Sequence, residues 1–342
     1  MPAALCLAAL TSAPDDEVLG LRLESTTDGV RVCAGAAVLS RHPDRMEARR
    51  WRAERLAERH PGALNIPFPT LGGRQVWADR LLAQDGWRIQ EQVWTGHCRL
   101  IDGRGIRRAW GDYAACRAAL EAAFVAGRTR PLSGEVIVLL HGLGRTRAMW
   151  NPLADDLRAD GRQVVALTWP STRRDLATCA KDLRGLLRAS PGITGISVVT
   201  HSLGGPLLRE AYADPDGLPP LRGAVMCFAP NQGADLADRL HGVAPLRWIM
   251  GPSLDDLTHA NATTFAAWNG APLVLIAGDA GHNPLIPGAE DWVVAVRDTA
   301  LAGQNAEVFP VTHTFGTRDL AVRERIREAM EGFESESCLA SP

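Results

Sequence analysis

Ser202 stands in Thr200-His201-Ser202-Leu203-Gly204-Gly205, directly after the β-branched run 196–199 and directly before the helix-competent segment 206–212. That order predicts a strand, a sharp turn and a helix, with a serine at the turn. A hydroxyl held there is pushed clear of the sheet, and the N-terminus of the following helix favours developing negative charge. Small residues around it answer a steric need, because such a turn presses strand and helix backbones together. The chemistry this allows is nucleophilic attack by Ser202; the plainer role for the same residues is a helix cap. A base for that hydroxyl is available in His313, which follows a short strand expected at 306–309 and precedes an amphipathic helix expected over 319–333. Val322, Ile326, Ala329, Met330 and Phe333 give that helix one apolar face. A histidine in that loop can reach back over a sheet. Three acids precede it as candidates to orient the imidazole: Asp291, Asp279 and Glu290. Asp279 ends the strand expected at 272–277, although Gly278-Asp279-Ala280-Gly281 also has the chemistry of a simple turn.

The elements around these residues alternate regularly. A buried strand at 136–140 runs into His141-Gly142-Leu143-Gly144-Arg145-Thr146, whose glycines let the backbone turn sharply. This is no dinucleotide fingerprint, because the third glycine is missing and no acidic ribose ligand stands at the right distance. His141 is expected to be a structural loop histidine. A helix over 152–159 capped by Asn151, a strand over 163–167 and a helix over 175–187 follow. Strands alternating with amphipathic helices imply a mostly parallel sheet covered on both faces. Between 230 and 270 the alternation stops. Trp248, Met250, Leu254, Leu257, Phe265 and Trp268 there suggest a short helical insert, either a lid or a small core of its own. Asn231 and Gln232 follow the strand that carries Cys227 and are expected near the rim of the cleft, as substrate contacts or as parts of a turn.

Taken together, these segments resemble the α/β-hydrolase superfamily, and within it the bacterial lipase/esterase-like group. The matching stretches are His141–Thr146, Trp169-Pro170-Ser171-Thr172-Arg173, Thr200 to Gly205, Ala229-Pro230-Asn231-Gln232-Gly233, Asp291-Trp292-Val293-Val294 and His313-Thr314-Phe315, in that order. Departures are Thr200, where glycine is usual, and Trp292, where such lipases often have glycine after the acid. The resemblance implies a triad in the chain order serine, acid, histidine. It favours Asp291 over Asp279, because an acid before a β-branched pair is similar to the acid loop of many lipases. It also implies an oxyanion hole made by the N–H groups of Leu143 and Leu203. The expected activity is cleavage of carboxylic esters, lipase- or esterase-like, through an acyl-enzyme on Ser202. The same triad would serve an acyltransferase, and a catalytically inactive binding scaffold is a third possibility. Trp150, Asn231, Gln232, Trp248 and Trp292 are candidates to touch the substrate, a small-molecule or lipid-like ester. No cofactor or metal is implied.

Composition agrees with an enzyme of this kind and excludes other classes. The chain has 342 residues, 46% hydrophobic and 22% charged, with a net charge of −2, which gives no electrostatic reason to expect nucleic acid or an anionic membrane as partner. Seven scattered cysteines show neither disulfide nor zinc spacing and favour, weakly, a reducing compartment. The apolar start at 2–10 is short and has no basic residue before it, so a cytoplasmic location is expected. No stretch is long enough to span a bilayer. Residues 1–64 are expected as an N-terminal appendage of unassigned role: two strands split by a turn at 26–29, then a charged helix over 41–60. Residues 65–342 are expected as the α/β-hydrolase domain, with 230–270 as its cap or lid. The strands near 87–94 and 98–101 are expected as antiparallel edge strands that open its sheet, before a helix over 112–125.

Overall fold

The computed structural model describes residues 17–18, 21–59, 75–268 and 270–339. These fall into two compact units, one formed by residues up to 72 with 76–130, the other by 73–75 with 131–342. The boundary expected at residue 64 and the apolar start at 2–10 lie outside the described residues.

In the first unit, β1 (Glu17–Val18), β2 (Leu21–Thr26), β3 (Gly29–Ala34) and β4 (Ala37–His42) form an antiparallel meander. Alternation along β2 and β3 turns Leu21, Leu23, Val30 and Val32 to one side, where they pack with Ala48 of helix α1 (Arg45–Arg59). Strands β5 (Trp77–Leu82), β6 (Arg88–Gln92), β7 (Cys98–Ile101) and β8 (Arg107–Gly111) form a second antiparallel sheet, followed by helix α2 (Tyr113–Val125), whose first turn is capped by Asp112. This corrects the expectation that the 88–101 strands open the hydrolase sheet: all their ladder partners lie within 77–111. Their short turns pair each strand with its sequence neighbour, so β6 and β7 are the central strands of this sheet and have both edges taken.

The second unit is built on a six-stranded sheet. Its strands are β9 (Gly134–Leu140), β10 (Val164–Ala166), β11 (Ile193–His201), β12 (Leu221–Cys227), β13 (Leu273–Gly278) and β14 (Glu307–Phe309). They lie in the order β10-β9-β11-β12-β13-β14, every pair parallel. Helices α3 (Asn151–Ala159), α4 (Leu176–Arg188), α5 (Gly204–Ala211) and α10 (Leu320–Leu339) cover it. Asn151 opens α3 as its first helical residue rather than capping it, whereas Asp175 does cap α4 by accepting the Thr178 N–H. Ile137, Leu139, Val199, Val225 and Ile276 point to one face and pack with Leu153 and Leu157 of α3 and with Val322, Ile326, Met330 and Phe333 of α10. The alternate strand positions face the other way, towards α4 and α5. Gly223 lets α10 come close, because a Cβ there would lie 2.5 Å from the Phe333 ring.

The insert between β12 and β13 holds short helices α6 (Asp235–Leu240), α7 (Ala244–Met250), α8 (Ser253–Asp256) and α9 (His259–Ala262), as the lost alternation predicts. No helix among the described residues is long and apolar enough to cross a membrane.

Candidate active site

Strand β11 ends at His201, and the chain turns at Ser202 before α5 begins at Gly204. Ser202 has φ +52°, in the left-handed region that a side chain enters only at a cost of roughly 1–3 kcal/mol. Its N–H donates to the Cys227 carbonyl (2.9 Å) and its carbonyl accepts from Gly205 (2.9 Å), so the turn is held from the neighbouring strand and from within. The glycines after it are steric requirements. A Cβ at Gly204 would lie 2.8 Å from the Leu140 carbonyl oxygen, and one at Gly205 2.6 Å from the Ala229 side chain. Thr200, where glycine is usual, stays in the ladder between Leu140 and Met226 and is fully buried.

His313 lies in the loop after β14 and is buried. Its Nδ1 is 2.8 Å from Asp291 Oδ2, and its backbone N–H donates to the Asp291 carbonyl (2.8 Å). The other carboxylate oxygen of Asp291 accepts the N–H groups of Val293 (3.0 Å) and Val294 (2.7 Å). A charged carboxylate at a site only 1% exposed is thus met on both oxygens. Gly278 makes room for it, since a Cβ there would lie 3.0 Å from that of Asp291. The rival acids are placed differently. Asp279 is exposed, with its N–H tied to the Phe309 carbonyl (3.1 Å). Glu290 is buried as a loop brace: Oε1 accepts the Asn283 N–H (2.7 Å) and Oε2 accepts that of Trp292. Trp292 itself has φ +85°, the conformation that the glycine of similar loops would take without strain. Glu290 on its N–H and Asn283 on its carbonyl (2.9 Å) hold it there.

Two further side chains fasten these loops. His201 is fully buried; its Nε2 donates to the His313 carbonyl (2.9 Å), and the two rings are 4.8 Å apart. Burial, then the neighbouring His313, hold its pKa well below that of an ordinary histidine, so it serves as a neutral strut. This bond brings the His313 loop onto the residue beside Ser202. Gln75 ties the loop after β9: its Nε2 donates to the Arg145 carbonyl, while its Oε1 accepts from Ser171 Oγ (3.0 Å), Thr172 N (3.0 Å) and Thr172 Oγ1 (3.1 Å). Ser171 Oγ in turn accepts the Gly144 N–H (3.0 Å). His141 stacks on Trp169 at 5.2 Å and donates from Nδ1 to the Gly142 carbonyl (2.9 Å). These contacts brace the start of the loop after β9. Neither His201 nor Gln75 stands out in the sequence, because each acts on a backbone carbonyl far away along the chain.

The loop carrying Leu143 lies against the serine. A Cβ on Gly142 would be 2.8 Å from that of Ser202, and Gly144 takes φ +68° to close the turn. Among the described residues no protein acceptor takes the N–H of Leu143 or of Leu203.

The expected substrate contacts divide. Trp150 is fully buried in the core with Leu153, Leu157 and Met330, which corrects its assignment to the cleft: its ring packs under the sheet, out of reach of a ligand. Asn231 is also buried, donating from Nδ2 to the Thr299 carbonyl (2.9 Å) while its own carbonyl accepts from Arg209 (2.8 Å). Gln232 is exposed and donates to the Ala300 carbonyl (3.2 Å), a turn contact. Trp248 and Trp292 are 76% and 47% exposed, free to meet a ligand. No group of three or more side chains able to hold a metal occurs among the described residues.

A search of curated proteins finds no match. Among solved structures, the mature lipase BlEst2 of Bacillus licheniformis is similar at 17% identity over 56% of this chain and 91% of its own, with a TM-score of 0.46. The monoacylglycerol lipase of Paleococcus ferrophilus is similar at 19% identity over 58% of this chain and 94% of its own, with a TM-score of 0.41. The family model described as "Alpha/beta hydrolase family" matches residues 137–338, which span the six-stranded sheet from β9 through α10. With that match and the parallel sheet beneath the serine turn, the chain belongs to the alpha/beta hydrolase family.

Proposed function

We propose that this protein is a serine hydrolase that cleaves carboxylic esters through an acyl-enzyme on Ser202. The observation that carries the proposal is the buried His313 imidazole, paired at 2.8 Å with Asp291 and fastened by His201 beside a serine at φ +52°. With Asp291 on Nδ1, the neutral imidazole carries its proton there and presents a bare Nε2 as base. His313 takes the Ser202 proton as Oγ attacks the acyl carbon, and returns it to the leaving alcohol. Water then attacks the acyl-enzyme, with His313 as base a second time. Asp291 keeps the ring oriented and stabilises its charged form. The negative oxygen of each tetrahedral intermediate is received by the N–H groups of Leu143 and Leu203, whose freedom from protein acceptors supports this role.

The test is hydrolysis of p-nitrophenyl esters with acyl chains from C2 to C16 by the native enzyme and by Ser202→Ala. The expected result is turnover by the native chain and a loss of three orders of magnitude or more in the variant, about what removal of a triad nucleophile costs. Turnover retained by Ser202→Ala would remove the nucleophile assignment. A native enzyme that cleaves no ester and takes up no fluorophosphonate would remove the enzymatic reading altogether.

A further inference from the structure

Arg145 closes the turn that carries Leu143: its N–H donates to the Gly142 carbonyl at 3.2 Å. Its side chain then leaves that loop and crosses to the histidine loop, where Nη2 donates to the carbonyl of Thr314 at 3.1 Å. The guanidinium therefore lies between the residue after Gly144 and the residue after His313, on the rim of the site proposed above. It is half-buried, yet no carboxylate among the described residues pairs with it. The charge that acts on it is a second cation, Arg318, from the turn that follows His313. Burial first, and then Arg318, lower its pKa from the usual arginine value.

A clamp between two loops needs one donor and no charge. A guanidinium has five N–H groups in a fork that fits an oxyacid, and one of them is taken here. Partly desolvating a cation beside another cation costs stability, and among the described residues only the Thr314 carbonyl, a neutral acceptor, offsets that cost. An anion seated between Arg145 and Arg318 would offset it. Phe315, next along the chain from Thr314, is 61% exposed and could meet the carbon chain that carries such a group.

We propose that Arg145 and Arg318 form an anion-binding subsite beside the ester-cleaving centre, so that the preferred substrate carries a carboxylate or phosphate group in addition to its ester. This rests on the proposed esterase function and names its substrate class. Arg145 engages the oxyacid in bidentate fashion, and exposed Arg318 strengthens the field and closes over it.

The test compares substrates matched in length and differing in charge. One arm sets mono-p-nitrophenyl glutarate against p-nitrophenyl pentanoate, with the charge a carboxylate on the acyl side. The other sets 1-butyryl-glycerol 3-phosphate against monobutyrin, with the charge a phosphate on the alcohol side. The native enzyme is expected to favour the anionic member of at least one pair in kcat/KM by about tenfold or more, the usual scale of a charge-assisted hydrogen bond. The arm that shows the preference identifies the oxyacid. Arg145→Gln, which keeps a donor for the Thr314 carbonyl, should bring the ratio close to one; Arg145→Lys should keep part of it, and Arg318→Gln should lower it. Raising the salt from 0.05 to 0.5 M should also shrink it. An anionic-to-neutral ratio at or below one in both arms, or a ratio unchanged in Arg145→Gln, overturns the proposal. Calorimetric binding of the first pair to Ser202→Ala reads the preference without catalysis. A protein that binds the anion better and cleaves nothing would overturn the esterase reading and leave the subsite standing.

Discussion

Asp291 has both carboxylate oxygens engaged, one by two backbone N–H groups and one by His313, whereas Asp279 is exposed and near the same strand end. Replacing Asp291 by asparagine leaves an oxygen for the N–H groups of Val293 and Val294 and turns an amide nitrogen towards His313. That donor opposes the tautomer the reaction needs. Asp291→Asn is therefore expected to lower kcat/KM for a p-nitrophenyl ester by about 10³–10⁴-fold, while Asp279→Asn should stay within about twofold. The reverse pattern in the same assay would transfer the acid role to Asp279. In the sequence the two acids were separable by resemblance alone, because each follows a turn near a strand and neither shows which way its loop runs. The strand-turn-helix at Ser202 and the loop position of His313 were legible from the chain itself, since both are local patterns. Trp150 was not. It precedes a helix and could have faced cleft or core, and only the packing of α3 on the sheet sends it inward.

The strands of the parallel sheet and the helices over it were legible as elements, the strands as short continuous apolar runs and the helices by a period of 3.6. What stayed hidden was which strands share a sheet: β6 and β7 read as edge strands but pair only within 77–111. Pairing is a long-range property that no local period encodes. Close approach of helix and strand is equally silent, and Gly223 beneath Phe333 is one such place. Gly223→Ala is expected to destabilise the protein by about 1–3 kcal/mol through overpacking, read as a lower urea midpoint. In the double variant with Phe333→Leu the two effects should not add; an unaltered midpoint for Gly223→Ala would show that α10 shifts freely. In the insert, His259 joins α9 to Asp238 of α6 (2.6 Å) and to Asp298 (3.4 Å), with Arg297 beside Asp298 and paired to Asp235. Burial opposes the charged imidazole, but hydrogen bonds to the two acids outweigh it and raise its pKa above 6.5. A raised histidine pKa means that the folded form binds the proton more tightly. The resulting stability is complete below about pH 6.5 and is lost as pH rises through the folded value. Amide protection factors over 235–262 should fall across that window in the native chain and stay level in His259→Gln. A level profile in the native chain would mean that the histidine does not hold the insert.

Among the described residues, one apolar core gathers around Leu21, Leu23, Val30 and Val32 in the first unit, and a separate one lies between the parallel sheet and helices α3 and α10 in the second. Separate cores favour separate melting. Scanning calorimetry should give a calorimetric enthalpy larger than the van 't Hoff value, and equality of the two would indicate a single cooperative unit. One residue complicates that division. Gln75 belongs by its contacts to the unit that begins again at 131, and its amide grips a serine 96 positions later. The stretch recognisable as a family member starts at residue 137 and includes Ser202, Asp291 and His313. It omits the side chain that ties the Arg145 carbonyl to Ser171 and Thr172. Family resemblance and mechanics therefore draw different borders here: a fragment cut at residue 137 would keep all three residues of the proposed triad and lose a guy-rope of the loop beside them.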